Sequence, residues 1–476
     1  KLMQELKFIL GVSFKNIQDY EKAKRIFDEL LALNDNNLKH KILFEFADLE
    51  FDFGSYEKAN LLITEIQKSY NSLTPEDKGR MLNLKGLIEY NWLKNPETAI
   101  ATIKEAIKEF EKTLSFGKLA GIYINLAYLY FNEGDKENSN RSISIALDIN
   151  KKLGNYEQQA LIQMNQGVML LDDYKFEEAI HLLKNSKILF RTQNNKYFEA
   201  ICCSNLGEAY LNSCDYQNAY DSLIEAQKKF SSIENVDEEL RVLFLLGKFW
   251  FIIGDVSELE KIINQFEYYS YTKSFLTDEH STSYEFLKLM FMILNNDHIP
   301  VDQAINLLEK LDENNINLYG ELIFNLLEKF CFTDRINDSL YIINQPVFKK
   351  LSNVCIYFDA YIDFIYGLIV RNEKIEGMKS SLEYFESAYS KLENETISEL
   401  TWKVLVAITE MYIERGNYHR AKKPRLYALE LINLMADSIT NPRIRLKFLE
   451  KNERKNSLEI LKKLNDKAKQ NELQQS

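Results

Sequence analysis

Residues 205–226 read NLGEAYLNSCDYQNAYDSLIEA, and the fold turns on how Leu206, Gly207 and Tyr210 are answered by Tyr216, Ala219, Leu223 and Ala226. The first set lies at helical spacing, the polar run Asn212 to Asp215 suits a tight turn, and the second set resumes the same period. Two antiparallel helices follow. Gly207 and Ala219 remove bulk where those helices cross, which lets their axes approach to ~8–10 Å.

The grammar repeats in both directions. Toward the start it gives Leu10, Gly11, Phe14, Tyr20, Ala23 and Phe27, then Ala47, Gly54, Tyr56, Ala59 and Ile63. Gly86, Tyr90, Ala99, Ile103 and Ala106 follow with a turn one residue looser, then Leu126, Ala127, Tyr130, Gly134, Ile143 and Ala146, then Gly167, Leu170, Phe176, Ala179 and Leu183. Leu246, Gly247, Trp250 and Gly254 make the seventh. A lone helix pair cannot bury its apolar face, so such a chain is stabilised by stacking neighbours.

These residues resemble the tetratricopeptide repeat (TPR) superfamily, with its W-x2-L-G-x2-Y…A-x3-F pattern. The resemblance implies an all-α, right-handed solenoid, here of about eleven helix pairs. Residues 1–268 hold the seven clear repeats, and 269–350 divergent pairs that begin with a connector at Tyr268 to Tyr271. Residues 351–440 hold two further repeats, and 441–476 form a charged capping or linker helix with a thin stripe of Leu446, Leu449, Leu458, Leu461 and Leu464. Pro424 falls where the last repeat's second helix should run, so that helix is expected to kink or to start at the proline. Asn125, Asn165 and Asn205 recur every 40 residues against the usual ~34, which calls for longer helices or longer turns.

Composition narrows the function classes. With 59 Lys and Arg against 71 Asp and Glu the net charge is −12, which argues against nucleic acid as a partner. The most apolar run, Leu240 to Ile253, is interrupted by Arg241 and Lys248 and is shorter than the ~20 residues a bilayer crossing needs, so no membrane span is expected. Five cysteines without framework spacing read as reduced, structural thiols of a cytoplasmic protein. The first residue is Lys1 rather than Met and no apolar leader follows, so the chain reads as cut from a longer protein or processed.

Chemistry is hard to find. There is no Gly-rich phosphate loop, and His40, His181, His280, His298 and His419 are scattered without metal spacing. Adjacent residues on a helix point ~100° apart, so Cys202 and Cys203 make a poor redox pair. No catalytic residue, metal or cofactor is expected.

One pattern stands out. Asn125, Asn165 and Asn205 occupy one slot of three successive repeats, two residues before Ala127, Gly167 and Gly207. Asn is a weak helix former, but its amide offers one acceptor and two donor hydrogens that match a peptide unit. The slot should face the inner wall, with Tyr128, Phe131, Met164, Leu171, Ser204 and Glu208 on nearby turns. This resembles the asparagine ladder with which kinesin light chains and bacterial peptide-sensing regulators hold extended peptides. The alternatives are amides that bond helix to helix, or amides that only face water. A second series, Asn132, Asp172 and Asn212, sits near first-helix ends, where local backbone bonding explains it better than a second ladder does.

The expectation is a non-enzymatic scaffold or sensor arm that binds an extended protein or peptide segment, as part of a larger signalling regulator. The alternatives are a response-regulator phosphatase of the aspartate-phosphatase type and a self-assembling, homo-oligomeric array. The phosphatase relatives carry an additional amino-terminal helical bundle, whereas here the first repeat begins by Phe8.

Overall fold

The structure, a computed structural model, describes residues 2–16, 19–33, 38–272, 278–312, 315–372, 377–393 and 397–462; the tail beyond 462, Leu464 included, lies outside them. Within these residues the chain is all helix, in eleven successive pairs. They are α1 (Leu2–Asn16) with α2 (Tyr20–Ala32), α3 (Lys39–Asp52) with α4 (Tyr56–Gln67), α5 (Pro75–Asn91) with α6 (Pro96–Phe110), and α7 (Phe116–Asn132) with α8 (Lys136–Leu153). Next come α9 (Tyr156–Asp172) with α10 (Phe176–Thr192), α11 (Lys196–Asn212) with α12 (Tyr216–Ser232), and α13 (Val236–Ile253) with α14 (Val256–Thr272). The last four are α15 (Asp278–Asn295) with α16 (Val301–Glu309), α17 (Ile316–Phe332) with α18 (Ile336–Ile343), α19 (Ile356–Asn372) with α20 (Ser381–Leu392), and α21 (Glu399–Glu414) with α22 (Tyr418–Ser438). A short α23 (Pro442–Glu450) and a helical stretch over 452–462 follow. The chain forms two compact units, Lys1–Ile162 and Gln163–Ser476, with the boundary inside α9.

The 40-residue period comes from helix length. From α7 to α14 nearly every helix has 17 or 18 residues and each connection two or three. The connections are closed by residues in the left-handed region at a strict 40-residue spacing. Gly134, Tyr174, Cys214 and Gly254 end the first helices, and Gly154, Asn194 and Glu234 the second. Only α5 and α6 are joined by four residues, the looser turn expected there. Capping side chains start the second helices: Asp135 and Asp215 accept from the backbone N–H groups of Asn138 and Asn218.

Helices cross closely where the sequence placed glycine. A Cβ on Gly207 would stand 2.4 Å from Leu223, and one on Gly367 2.4 Å from Phe385. First helices touch the first helix of the next pair, as in α1–α3–α5–α7 and α11–α13–α15–α17–α19, whereas among second helices only α16 and α18 do so appreciably. Each unit therefore turns its first helices inward.

Two expectations need correction. Tyr268 to Tyr271 is no connector, since α14 runs on to Thr272 and the Tyr269 hydroxyl donates to Glu239 of α13 at 2.8 Å. Pro424 does not start α22, which runs from Tyr418 to Ser438 with the proline inside, so the late-start alternative falls. The buried contacts of Ala421, Ala428, Leu431 and Ile432 outweigh the one hydrogen bond lost.

The tail segment is part of unit 2. Ile444, Phe448, Arg454 and Leu461 are buried. The Phe448 ring lies 5.3 Å from that of Tyr216 at the start of α12, while Arg454 reaches Glu399 at the start of α21.

Candidate functional site on the inner helices

In unit 1 the inner helices are joined by polar side chains. Lys15 of α1 pairs with Glu45 of α3 at 2.6 Å, and Arg80 of α5 with the same carboxylate at 2.8 Å. One turn further along α5, Asn83 accepts from the Asn125 Nδ2 at 3.0 Å, and both are half-buried. Each amide has hydrogen-bonding capacity left for a visitor. Tyr128 beside them is exposed and meets Tyr90 edge to face at 6.5 Å, and Phe131 is half-buried. Asn83 escapes a slot reading because it stands three residues, not two, before the close-packing Gly86.

In unit 2 the same slot has two fates. Asn165 is exposed on α9, but Asn205 is only 2% exposed on α11. The Arg241 guanidinium of α13 donates to Asn205 Oδ1 at 3.0 Å and pairs with Glu208 at 3.1 Å. Arg241 therefore closes this amide off. In sequence Arg241 stands out only as a charge inside an apolar run, and its role depends on neighbouring first helices lying side by side. Ser204 is fully buried, with no hydrogen-bond partner for its hydroxyl among the described residues. Met164 and Leu171 are buried. They are core residues, not groove surface.

The second series behaves unevenly. Asn132 is exposed and Asn212 half-buried. Asp172 is exposed, yet protein packed nearby pushes its pKa up to about 6 by desolvation first and by the Glu208 carboxylate second. Asn317 of α17 donates to it at 3.5 Å. Elsewhere at first-helix ends the local alternative is visible: Asn91 donates to Leu87 O and Asn372 to Leu368 O, one turn back.

Nucleophilic chemistry finds little support. Burial pushes the Cys202 thiol up to about 11 and Cys203 to about 12, so both hold their protons at neutral pH. Among the described residues no cluster of His, Cys, Asp and Glu could hold a metal, and no helix is long and apolar enough to cross a membrane.

The densest charge cluster lies where the tail meets unit 2. Lys403 of α21 stands 2.8 Å from Glu328 and 2.5 Å from Glu453. A buried carboxylate and a half-buried one thus share one ammonium; burial raises Glu328 above the carboxylate range, while Lys403 and Lys451 hold Glu453 down. Arg454, 1% exposed, pairs with Glu399 at 2.6 Å and donates to Ile252 O at 2.9 Å. No local pattern marks this cluster in the sequence, because its members come from α17, α21 and the tail.

Comparison with known proteins agrees with the repeat reading. The tetratricopeptide repeat profile matches residues 5–37. Comparison with curated proteins gives no match. Among solved structures, a Rap protein complexed with competence and sporulation factor is 15% identical, covering 76% of this chain and all of that one at a TM-score of 0.49. Aspartyl phosphate phosphatase F from Bacillus subtilis is 15% identical over 79% of this chain and 96% of that one, TM-score 0.48. The quorum sensor NprR from B. thuringiensis, in its apo form, is 13% identical over 90% and 98%, TM-score 0.39. One stretch, residues 5–37, matches the tetratricopeptide repeat profile, and the described chain is an array of antiparallel helix pairs.

Proposed function

We propose that this chain is a docking scaffold, with no chemistry of its own, whose inner helices hold an extended segment of a partner protein. The observation that carries the reading is the Asn83–Asn125 pair on the inner side of unit 1. The two half-buried amides bond to each other, keep further donors and acceptors, and stand beside the exposed ring of Tyr128. A peptide main chain supplies the complementary groups, and an aromatic side adds apolar contact without demanding a particular side chain. Asn165, exposed, is a further candidate contact; Asn205 is reached only if Arg241 swings away. We place the chain as the docking or sensing arm of a larger cytoplasmic signalling protein.

The test separates gripping from bracing. Asn83→Ala with Asn125→Ala in the full chain should leave the melting temperature within about a degree, because Ala is the better helix former. Affinity capture with quantitative mass spectrometry should show partners held by the parent chain and lost by the double variant, since each unmatched peptide group costs ~1–3 kcal/mol. Asn205→Ala is the contrast: it should lower stability by ~1–2 kcal/mol by orphaning part of Arg241. Equal capture by parent and double variant would remove the amide pair from the binding surface.

A further inference from the structure

Residues 442–462 differ from the rest of unit 2 in composition. They hold seven Lys and Arg against three Glu, in a chain whose net charge is −12. The side chains that their arginines meet are acidic, while Glu453 meets Lys403 of α21. The Arg443 guanidinium pairs with Glu258 at 3.0 Å and approaches Asp255 at 3.6 Å, both at the start of α14. Arg454 pairs with Glu399, which also accepts from the Tyr216 hydroxyl at 2.5 Å. Basic segment and acidic receptor are complementary in charge, as separate partners are.

The hold is also narrow. Of these twenty-one residues only Ile444, Phe448, Arg454 and Leu461 are buried. Phe448 packs on Tyr216, and the Arg454 guanidinium lies 3.7 Å from the Phe448 ring centroid. Along the other flank the segment borders a cavity of about 630 Å³, walled by Phe332, Phe364 and Trp402 opposite Glu450, Lys451 and Ile460. An integral core helix is packed all round at crystal-like density; this segment is held at separate points, by Ile444, Phe448 and Leu461, by the Arg454–Glu399 and Glu453–Lys403 pairs, and by Lys451 over the Phe251 ring. Discrete anchors, oppositely charged partners for its arginines and a flank that no described residue fills are the anatomy of a bound segment with hot spots.

We propose that this inner side of unit 2 is a docking site for a basic, aromatic-bearing helical segment of a partner protein, which residues 442–462 occupy in cis. The partner's segment carries an aromatic residue with an arginine six positions later, matching Phe448 and Arg454, and a basic end toward Asp255 and Glu258. It binds only when the tail leaves. This rests on the docking-scaffold reading but not on the amide pair of unit 1, so failure of either can be told from failure of the other.

The experiment uses the full chain with a protease site built into residues 439–441, which join α22 to α23 without helix. The probe is a fluorescein-labelled peptide of residues 442–462. A tethered tail competes at millimolar effective concentration, so the intact chain should bind the probe at least ~100-fold more weakly than the nicked one. Probes carrying Arg454→Glu or Phe448→Ala should fail to bind the nicked chain. Hydrogen exchange on the intact chain should show amides of 442–462 exchanging well before those of α13 and α21. Equal protection of tail and inner helices, a nicked chain that never exchanges its tail, loss of helical signal across unit 2 on nicking, or equal probe binding with and without the nick would each overturn the proposal.

Discussion

Two charge clusters on the inner helices, one in each unit, live under different rules. In unit 1, Glu45 is shared by Lys15 and Arg80, whose side chains keep 16% and 31% of their exposure, so water still solvates the cluster and no single pair matters much. In unit 2, Arg454 is 1% exposed against Glu399, and Lys403, 6% exposed, lies between two carboxylates. There every charge depends on its partner, because a buried ion left alone costs far more than the pair contributes. The same repeat architecture thus gives a solvated cluster at Glu45 in unit 1, and a closed, partner-dependent one in unit 2 where the tail packs.

The largest effect should come from breaking the closed wall. Removing residues 442–476 strips Phe448 from Tyr216 and leaves Glu399 without its guanidinium, which should cost ~3–5 kcal/mol, confined to unit 2. Arg454→Met should cost about as much and no more, because a tail that fits badly can detach and the penalty stops at its docking free energy. Combining Arg454→Met with Phe448→Ala should therefore reach the same plateau as the deletion. Thermal melting of the three variants checks this; costs that add past the deletion would mark the tail as inseparable from the core.

This plateau could not have been foreseen from the leucine stripe. Leu446 and Leu449 suggested a thin amphipathic cap, yet Leu446 is 56% exposed, and the anchors are Phe448 and an arginine. A charged residue enters a core only when distant chain supplies its partner, and Glu399 is 55 residues away. The fold itself was legible because its determinants are local: Gly207 meets Leu223 sixteen positions on, and 17-residue helices set the period. The site was half legible. Asn125 and Asn165 are at or near the surface, but Asn205 was sealed by Arg241, a contact between successive pairs that periodicity does not encode.

A substitution at the helix crossings should matter next. Gly207→Val would drive its Cβ into Leu223, 2.4 Å away, in a helix held on both flanks by α12 and α13. A cost of ~1–3 kcal/mol is expected, and unlike the tail variants it has no detachable element to limit it. Added to the tail deletion it should therefore sum, within the ~0.5 kcal/mol typical of independent sites. Denaturant titration of single and combined variants measures the sum; a strong shortfall would mean the crossing and the tail share one cooperative contact, and would blur the distinction drawn between wall and cover.

The smallest effect tests whether inner-wall crowding reaches a residue that still touches water. Asp172 has its pKa raised to about 6, by burial first and by Glu208 second, against an unfolded value near ~3.9. Between those values the folded chain holds more protons than the unfolded one, so the stability attributable to this group falls as pH rises from about 4 to 6 and stays reduced above. Asp172→Asn removes the penalty. It should raise stability at pH 7, leave it unchanged near pH 4, and flatten the slope between. Because the carboxylate keeps an open edge, solvent screening holds the gain below ~1 kcal/mol. Paired melts of parent and variant at pH 4 and pH 7 decide it: equal differences at both would mean that water screens Asp172 fully, and that closure of the second wall stops short of α9.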